Sequence, residues 1–246
     1  MKCMESLAHR LLNLTFGLAA LGLATGLQAQ TPGKAVVRAV KGHATFSAGG
    51  SAPAPVKVGT VLYSGSSIRT EAGSIVDLFL GPSAGSVRIA ENSTLALDKL
   101  TMTETGADTV VDVQLNLPDG TMLGNVNKLS AASKYEIKVP NGVAGIRGTQ
   151  FRINSQGYVV VLNGSVVMVY VPANGNPTPY PLFGPPAQYF SPTEGVKAAP
   201  AELIREVATD VEQLGSGRGK GPPFTPPGPP EGVPGPPVFV PPSPTK

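Results

Sequence analysis

Tryptophan is absent from this 246-residue chain, aromatic residues make up 6% of it, and histidine occurs twice and cysteine once. Each shortage closes a class of function. So few rings offer no stacking platform for nucleic-acid bases or sugars. Charged residues are also scarce, at 14%, and the net charge of +3 is spread thinly. That balance argues against a nucleic-acid partner. The lone cysteine, Cys3, precedes an apolar run, Leu11 to Leu27, that carries no charge. Lys2, His9 and Arg10 ahead of that run, and Leu27-Gln28-Ala29 at its end, predict a signal peptide over residues 1–29. The product is then exported, to the periplasm or the cell surface. An uncleaved run would instead tether the chain to a membrane. Removing it leaves no cysteine, which excludes disulfides, thiol nucleophiles and cysteine metal sites.

Glycine (30) and proline (26) are plentiful but unevenly placed. From Val36 onward the apolar residues recur with a period of two. Ser74 to Leu80 sets Ile75, Asp77 and Phe79 against Val76, Leu78 and Leu80, the pattern of a central strand. Asp108 to Leu117 alternates Val111, Val113, Leu115 and Leu117 with Asp112, Gln114 and Asn116. Lys41-Gly42-His43 and Asn163-Gly164 each read as the turn of a hairpin. Strand signals recur without a helical period until about residue 200, so the fold class is all-β. Closure as a sandwich, a barrel or a β-solenoid is left open by the sequence.

Proline interrupts residues 172–186, which can add an edge strand only. One amphipathic helix is predicted over 198–214, with Ile204, Val207, Val211 and Leu214 on its apolar face. Its expected place is against the β domain, since so short a helix is marginal alone. Residues 215–246 hold twelve prolines and seven glycines with no strict Gly-x-y period, and read as a disordered, partly polyproline-II tail.

No catalytic constellation assembles. Gly81-Pro82-Ser83-Ala84-Gly85 fits the spacing of a nucleophile elbow, but a strand follows it where an elbow needs a helix. The only histidine beyond the signal segment, His43, lies forty residues before Ser83, whereas that triad needs it after the serine. The glycine-rich run 215–221 lacks phosphate-loop spacing. No enzyme activity, cofactor or metal is expected.

One corner organises the domain: Val139-Pro140-Asn141-Gly142-Val143-Ala144-Gly145-Ile146-Arg147-Gly148-Thr149-Gln150-Phe151. Pro140 cannot extend a ladder, Asn141-Gly142 signals a turn, and Gly145 and Gly148 bracket a large cation at Arg147. Arg147 offers five donors in a fixed fork and is expected to tie the corner to nearby carbonyls or a carboxylate, the alternative being capture of an anionic ligand.

The corner resembles the hallmark of the FecR domain family. Pro140, Ile146-Arg147-Gly148-Thr149-Gln150-Phe151 and then Val159-Val160-Val161-Leu162-Asn163-Gly164-Ser165-Val166 follow the family order, with Val139 where threonine is usual. Val56-Lys57-Val58-Gly59, Gly65-Ser66-Ser67-Ile68-Arg69-Thr70 and Gly73-Ser74 agree upstream. The resemblance spans residues 35–190. It implies that Pro140, Gly145, Arg147, Gly148, Thr149 and Phe151 are a structural signature. Well-known members are inner-membrane regulators, with a cytoplasmic anti-sigma segment and a periplasmic FecR domain that receives a signal from an outer-membrane transporter. Ten residues precede the apolar run here, so the expectation is an exported form without that segment. Two roles follow. One is a non-enzymatic binding or scaffold module of the bacterial envelope with a protein or polysaccharide partner. The other is a periplasmic component of a sigma-factor and transporter system.

Overall fold

The structure, a computed structural model, describes residues 31–106 and 108–214. The expected signal peptide over 1–29 and tail over 215–246 lie outside the described residues. The first strands are β1 (Thr31–Pro32), β2 (Ala35–Lys41), β3 (Ala44–Ala48), β4 (Ala54–Pro55), β5 (Val61–Leu62) and β6 (Ser66–Thr70). Next come β7 (Ile75–Gly81), β8 (Gly85–Ile89), β9 (Thr94–Thr105), β10 (Asp108–Asp119), β11 (Thr121–Asn125) and β12 (Lys134–Val139). The last are β13 (Gly142–Asn154), β14 (Val159–Tyr170), β15 (Thr178–Gly184), β16 (Gln188–Ser191), β17 (Gly195–Ala198) and the helix α1 (Ala201–Glu212). The all-β expectation holds. Among the described residues no helix is long and apolar enough to cross a membrane.

The ladders join into one sheet closed as a barrel, and they follow two runs. One run is β4–β3–β6–β9–β10–β12 and then residues 142–145 of β13. Its pairs are antiparallel except β10 with β12, which lie parallel. The other run is β5–β2–β7–β8–β11 and then residues 150–154 of β13. Sequence neighbours mostly belong to opposite runs, so the chain passes back and forth between them. That corrects the reading of Lys41-Gly42-His43 as a hairpin turn: β2 pairs with β7 and β3 with β6. Gly42, at φ +74°, turns a corner between the runs instead. Such corners carry the same glycine and polar signals as hairpins, because both demand positive φ.

Alternation sets the core. Val111, Val113, Leu115 and Leu117 of β10 face inward, as do Tyr135, Ile137 and Val139 of β12, and all are buried. From the second run come Val76, Leu78, Val87, Ile89, Met122, Phe151 and Ile153. β7 lies between β2 and β8, the central position its doubly apolar pattern implied. β15 pairs along β14 as an edge strand, consistent with its prolines. The nucleophile-elbow pattern 81–85 is the tight connection of the β7–β8 hairpin, where Gly81 opposes Gly85. His43 is exposed at its corner.

Candidate functional site

Two features concentrate the polar chemistry: the Arg-Gly-Thr corner and a row of charges beneath α1.

The corner is where a hairpin crosses from one run to the other. β13 pairs with β12 through Gly145 and with β11 from Gln150. Its ladder with β14 slips in register between Arg147 and Phe151. Gly148 supplies φ +56° at the slip, and a Cβ there would come 2.9 Å from Lys128 Cα. Opposite it, Gly164 has φ +85°, and a Cβ would meet Gly148 O at 2.0 Å. Asn163-Gly164 is therefore not a hairpin turn. It is a bend inside the continuous strand β14, which explains why two β-branched runs flank it. Thr149 repairs the ladder at the bend: its hydroxyl donates to Ser165 O at 2.8 Å and accepts from Ser165 N–H at 3.2 Å. Phe151 anchors the far side in the core, packed against Gly124.

Pro140 is exposed and Gly145 half-buried. The tight turn is Pro140-Asn141, one residue earlier than the sequence suggested, because Val139 pairs directly with Gly142. Gly142 is needed for space: a Cβ there would lie 2.2 Å from Val169 O. Arg147 is exposed, and its Nη1 donates to Ser130 O at 3.4 Å and Ala131 O at 3.3 Å. Exposed bonds of that length are weak. Arg147→Ala is expected to lower the urea unfolding free energy by less than about 1 kcal/mol. A larger loss would mean that the guanidinium does more than tie down this loop.

The second feature was not singled out from sequence. Cross-strand register aligns Asp77, Arg88, Leu123, Arg152, Val160 and Tyr189 across β7, β8, β11, β13, β14 and β16. Neighbours on each strand point into the core, so this row faces outward, yet Arg88 is 0% and Arg152 and Asp77 each 1% exposed. The helix α1 covers them. Leu203, Val207 and Val211 pack on Leu123, Val160 and Tyr189. The helical face is therefore rotated from expectation: Leu203 is buried and Ile204 only partly so.

Arg88 grips Asp77 bidentately, Nε to Oδ1 at 2.6 Å and Nη2 to Oδ2 at 2.8 Å. Nη2 also donates to Gln213 O at 2.6 Å, and Nη1 to Asp210 O at 3.5 Å. No basic residue lies in the last turn of α1. Arg88 thus supplies, from a strand, the cation that the negative end of the helix favours. Arg152 reaches the same helix, with Nη2 on Asp210 Oδ2 at 2.5 Å and Nη1 on Glu206 Oε1 at 2.9 Å. Its Nε finds no acceptor among the described residues. Tyr189 donates to Glu194 Oε2 at 2.8 Å, and burial together with that bond pushes its phenol up to about 12.

Burial raises the Asp210 carboxyl above its usual 3.8, with Glu206 adding to the rise, and the Arg152 and Arg88 guanidiniums offset this only in part. Between the usual and the raised value the folded state therefore holds a proton that the unfolded chain has already lost. Stability contributed by this group is complete below the usual value and declines as pH rises through the raised one. Urea midpoints of wild type and Asp210→Asn, taken stepwise upward from pH 3.5, should differ in slope over that window. Parallel profiles would show that Asp210 does not titrate there.

This arrangement clamps a helix rather than presenting a reactive group: both guanidiniums are spent on carboxylates and carbonyls. Among the described residues, no three His, Cys, Asp or Glu side chains gather closely enough to hold a metal ion.

Residues 66–167, from β6 to most of β14, match the family model described as FecR protein. The chain carries a FecR-family domain, and the Arg-Gly-Thr corner lies within it. Two crystal structures of a proposed anti-sigma factor from Parabacteroides distasonis ATCC 8503 are also similar. The one at 1.65 Å resolution has a TM-score of 0.40 and 16% identity, over 57% of this chain and 63% of that one. The one at 2.50 Å has a TM-score of 0.40 and 15% identity, over 57% and 62%. This chain thus spans less than two thirds of the length of those proteins. No curated protein matches it.

Proposed function

We propose that this chain is a non-enzymatic binding module of the bacterial cell envelope, and that its binding state is passed on within a sigma-factor regulatory system. The FecR match over 66–167 carries the reading, since it takes in the crossing hairpin and both clamping arginines. The basic residues and uncharged run ahead of Ala29 support export. The partner is an envelope protein or a polysaccharide, held through surface contacts with no cofactor.

Deleting the gene and profiling transcripts tests the signalling role. The expected result is a change confined to genes under one alternative sigma factor. An unchanged profile would leave only the scaffold role. Fusing residues 1–40 to alkaline phosphatase, which is active only outside the cytoplasm, tests export. An inactive fusion would contradict the envelope assignment.

A further inference from the structure

On the same outward face as the clamped row, beyond the reach of α1, the sheet carries a hollow of about 640 Å³. That size suits a small ligand. Its walls are apolar: Val36 of β2, Phe79 of β7, Met102 of β9, and Tyr63, which is 53% exposed. Lys34 and Arg38 stand at its rim, and no acidic residue lines it. Neither cation makes an ion pair among the described residues. Arg38 sits where the β2–β7 register slips between Val37 and Ala39. Its guanidinium is held 5.0 Å over the Phe79 ring. An exposed tyrosine, an apolar floor and two cations without an ion pair among the described residues thus meet at one place on the surface.

We infer that this hollow binds a small anionic amphiphile, with its hydrocarbon body on Phe79 and Met102 and its acidic head between Lys34 and Arg38. The apolar floor provides the burial, and the paired cations decide the sign of the head group. Arg38 is prearranged by its stacking on Phe79 and so loses little freedom on binding. The inference rests on the hollow alone and stands apart from the signalling role.

Isothermal titration of the full chain with decanoate, decyltrimethylammonium and decyl maltoside, each below its micelle concentration, tests it. Decanoate should bind one to one. Lys34→Glu/Arg38→Glu should weaken it by roughly tenfold or more, as two favourable contacts become repulsive. Both positions are exposed, so the double variant should stay folded and lose no more than the Arg38–Phe79 contact, about 1 kcal/mol of urea unfolding free energy. Tyr63→Ala should weaken decanoate binding without changing the preference for the anion. The inference is overturned if decanoate does not bind, if the cationic or neutral decyl compound binds as well, or if charge reversal leaves the affinity unchanged. Failure here would leave the transcript experiment unaffected.

Discussion

Replacing Arg88 by alanine is expected to cost about 3–5 kcal/mol of unfolding free energy, because it removes the guanidinium that pairs with the buried Asp77 carboxylate. At roughly 2–4 °C per kcal/mol for a domain of this size, the melting temperature should fall by about 6–20 °C. The loss has two parts. Asp77 loses both charge-assisted bonds, and the carbonyl of Gln213 loses its donor at the end of α1. The double variant Asp77→Leu/Arg88→Met separates them. A buried pair exchanged for apolar groups of similar volume is often neutral. The double variant should therefore recover most of the loss and retain only the cost of the missing helix cap. Urea titrations of the three proteins give the comparison. A loss under about 1 kcal/mol for Arg88→Ala would mean that water reaches Asp77 and the row is not sealed.

Gly164→Ala is the second large effect expected. Its added Cβ would sit 2.0 Å from Gly148 O and 2.9 Å from Thr149 Cα, both backbone atoms that cannot swing aside. The residue would also have to hold φ +85°. Backbone strain of about 1–3 kcal/mol adds to an overpacking cost of about 1–3 kcal/mol. Gly195→Ala is the internal control. Gly195 has a similar φ of +74° but nothing within 4 Å of the new methyl. It should cost only the left-handed penalty of about 1–2 kcal/mol. Equal losses for the two variants would show that the β13–β14 crossing has slack and that its glycines serve conformation alone.

The two substitutions probe features that the sequence revealed to different degrees. Alternation made the inward faces of β10 and β12 readable, because a period of two needs no knowledge of partners. The family motif was equally visible around Arg147. What the corner does was not visible. A glycine with positive φ looks the same in a hairpin turn, at a passage between runs such as Gly42, and at a bend inside a strand such as Gly164. Only pairing distinguishes them, and pairing is a long-range property. The clamped row left a fainter trace. Asp77 is the one charge in a strand apolar on both faces, and Arg88 and Arg152 each lie between apolar neighbours, Val87 and Ile89, Phe151 and Ile153. A charge in such company is buried against a partner or against water. The partners, Asp210 and Glu206, come from a helix over fifty residues beyond Arg152, and no local pattern names them. The helix face shows the same limit. A stripe at Ile204 or at Leu203 satisfies one amphipathic pattern, and the position of Leu123 and Val160 beneath the helix chooses between them.

The account centres on α1 as a fixed part of the β domain, held by Arg88 and Arg152 over an otherwise exposed row. Native-state hydrogen exchange of the α1 amides, followed beside those of β11 and β13, tests this most directly. The account predicts that Val207, Asp210 and Val211 exchange as slowly as the strands beneath them and open with them in one cooperative unit. Exchange of those amides orders of magnitude faster than the strands, with the strands still protected, would contradict it.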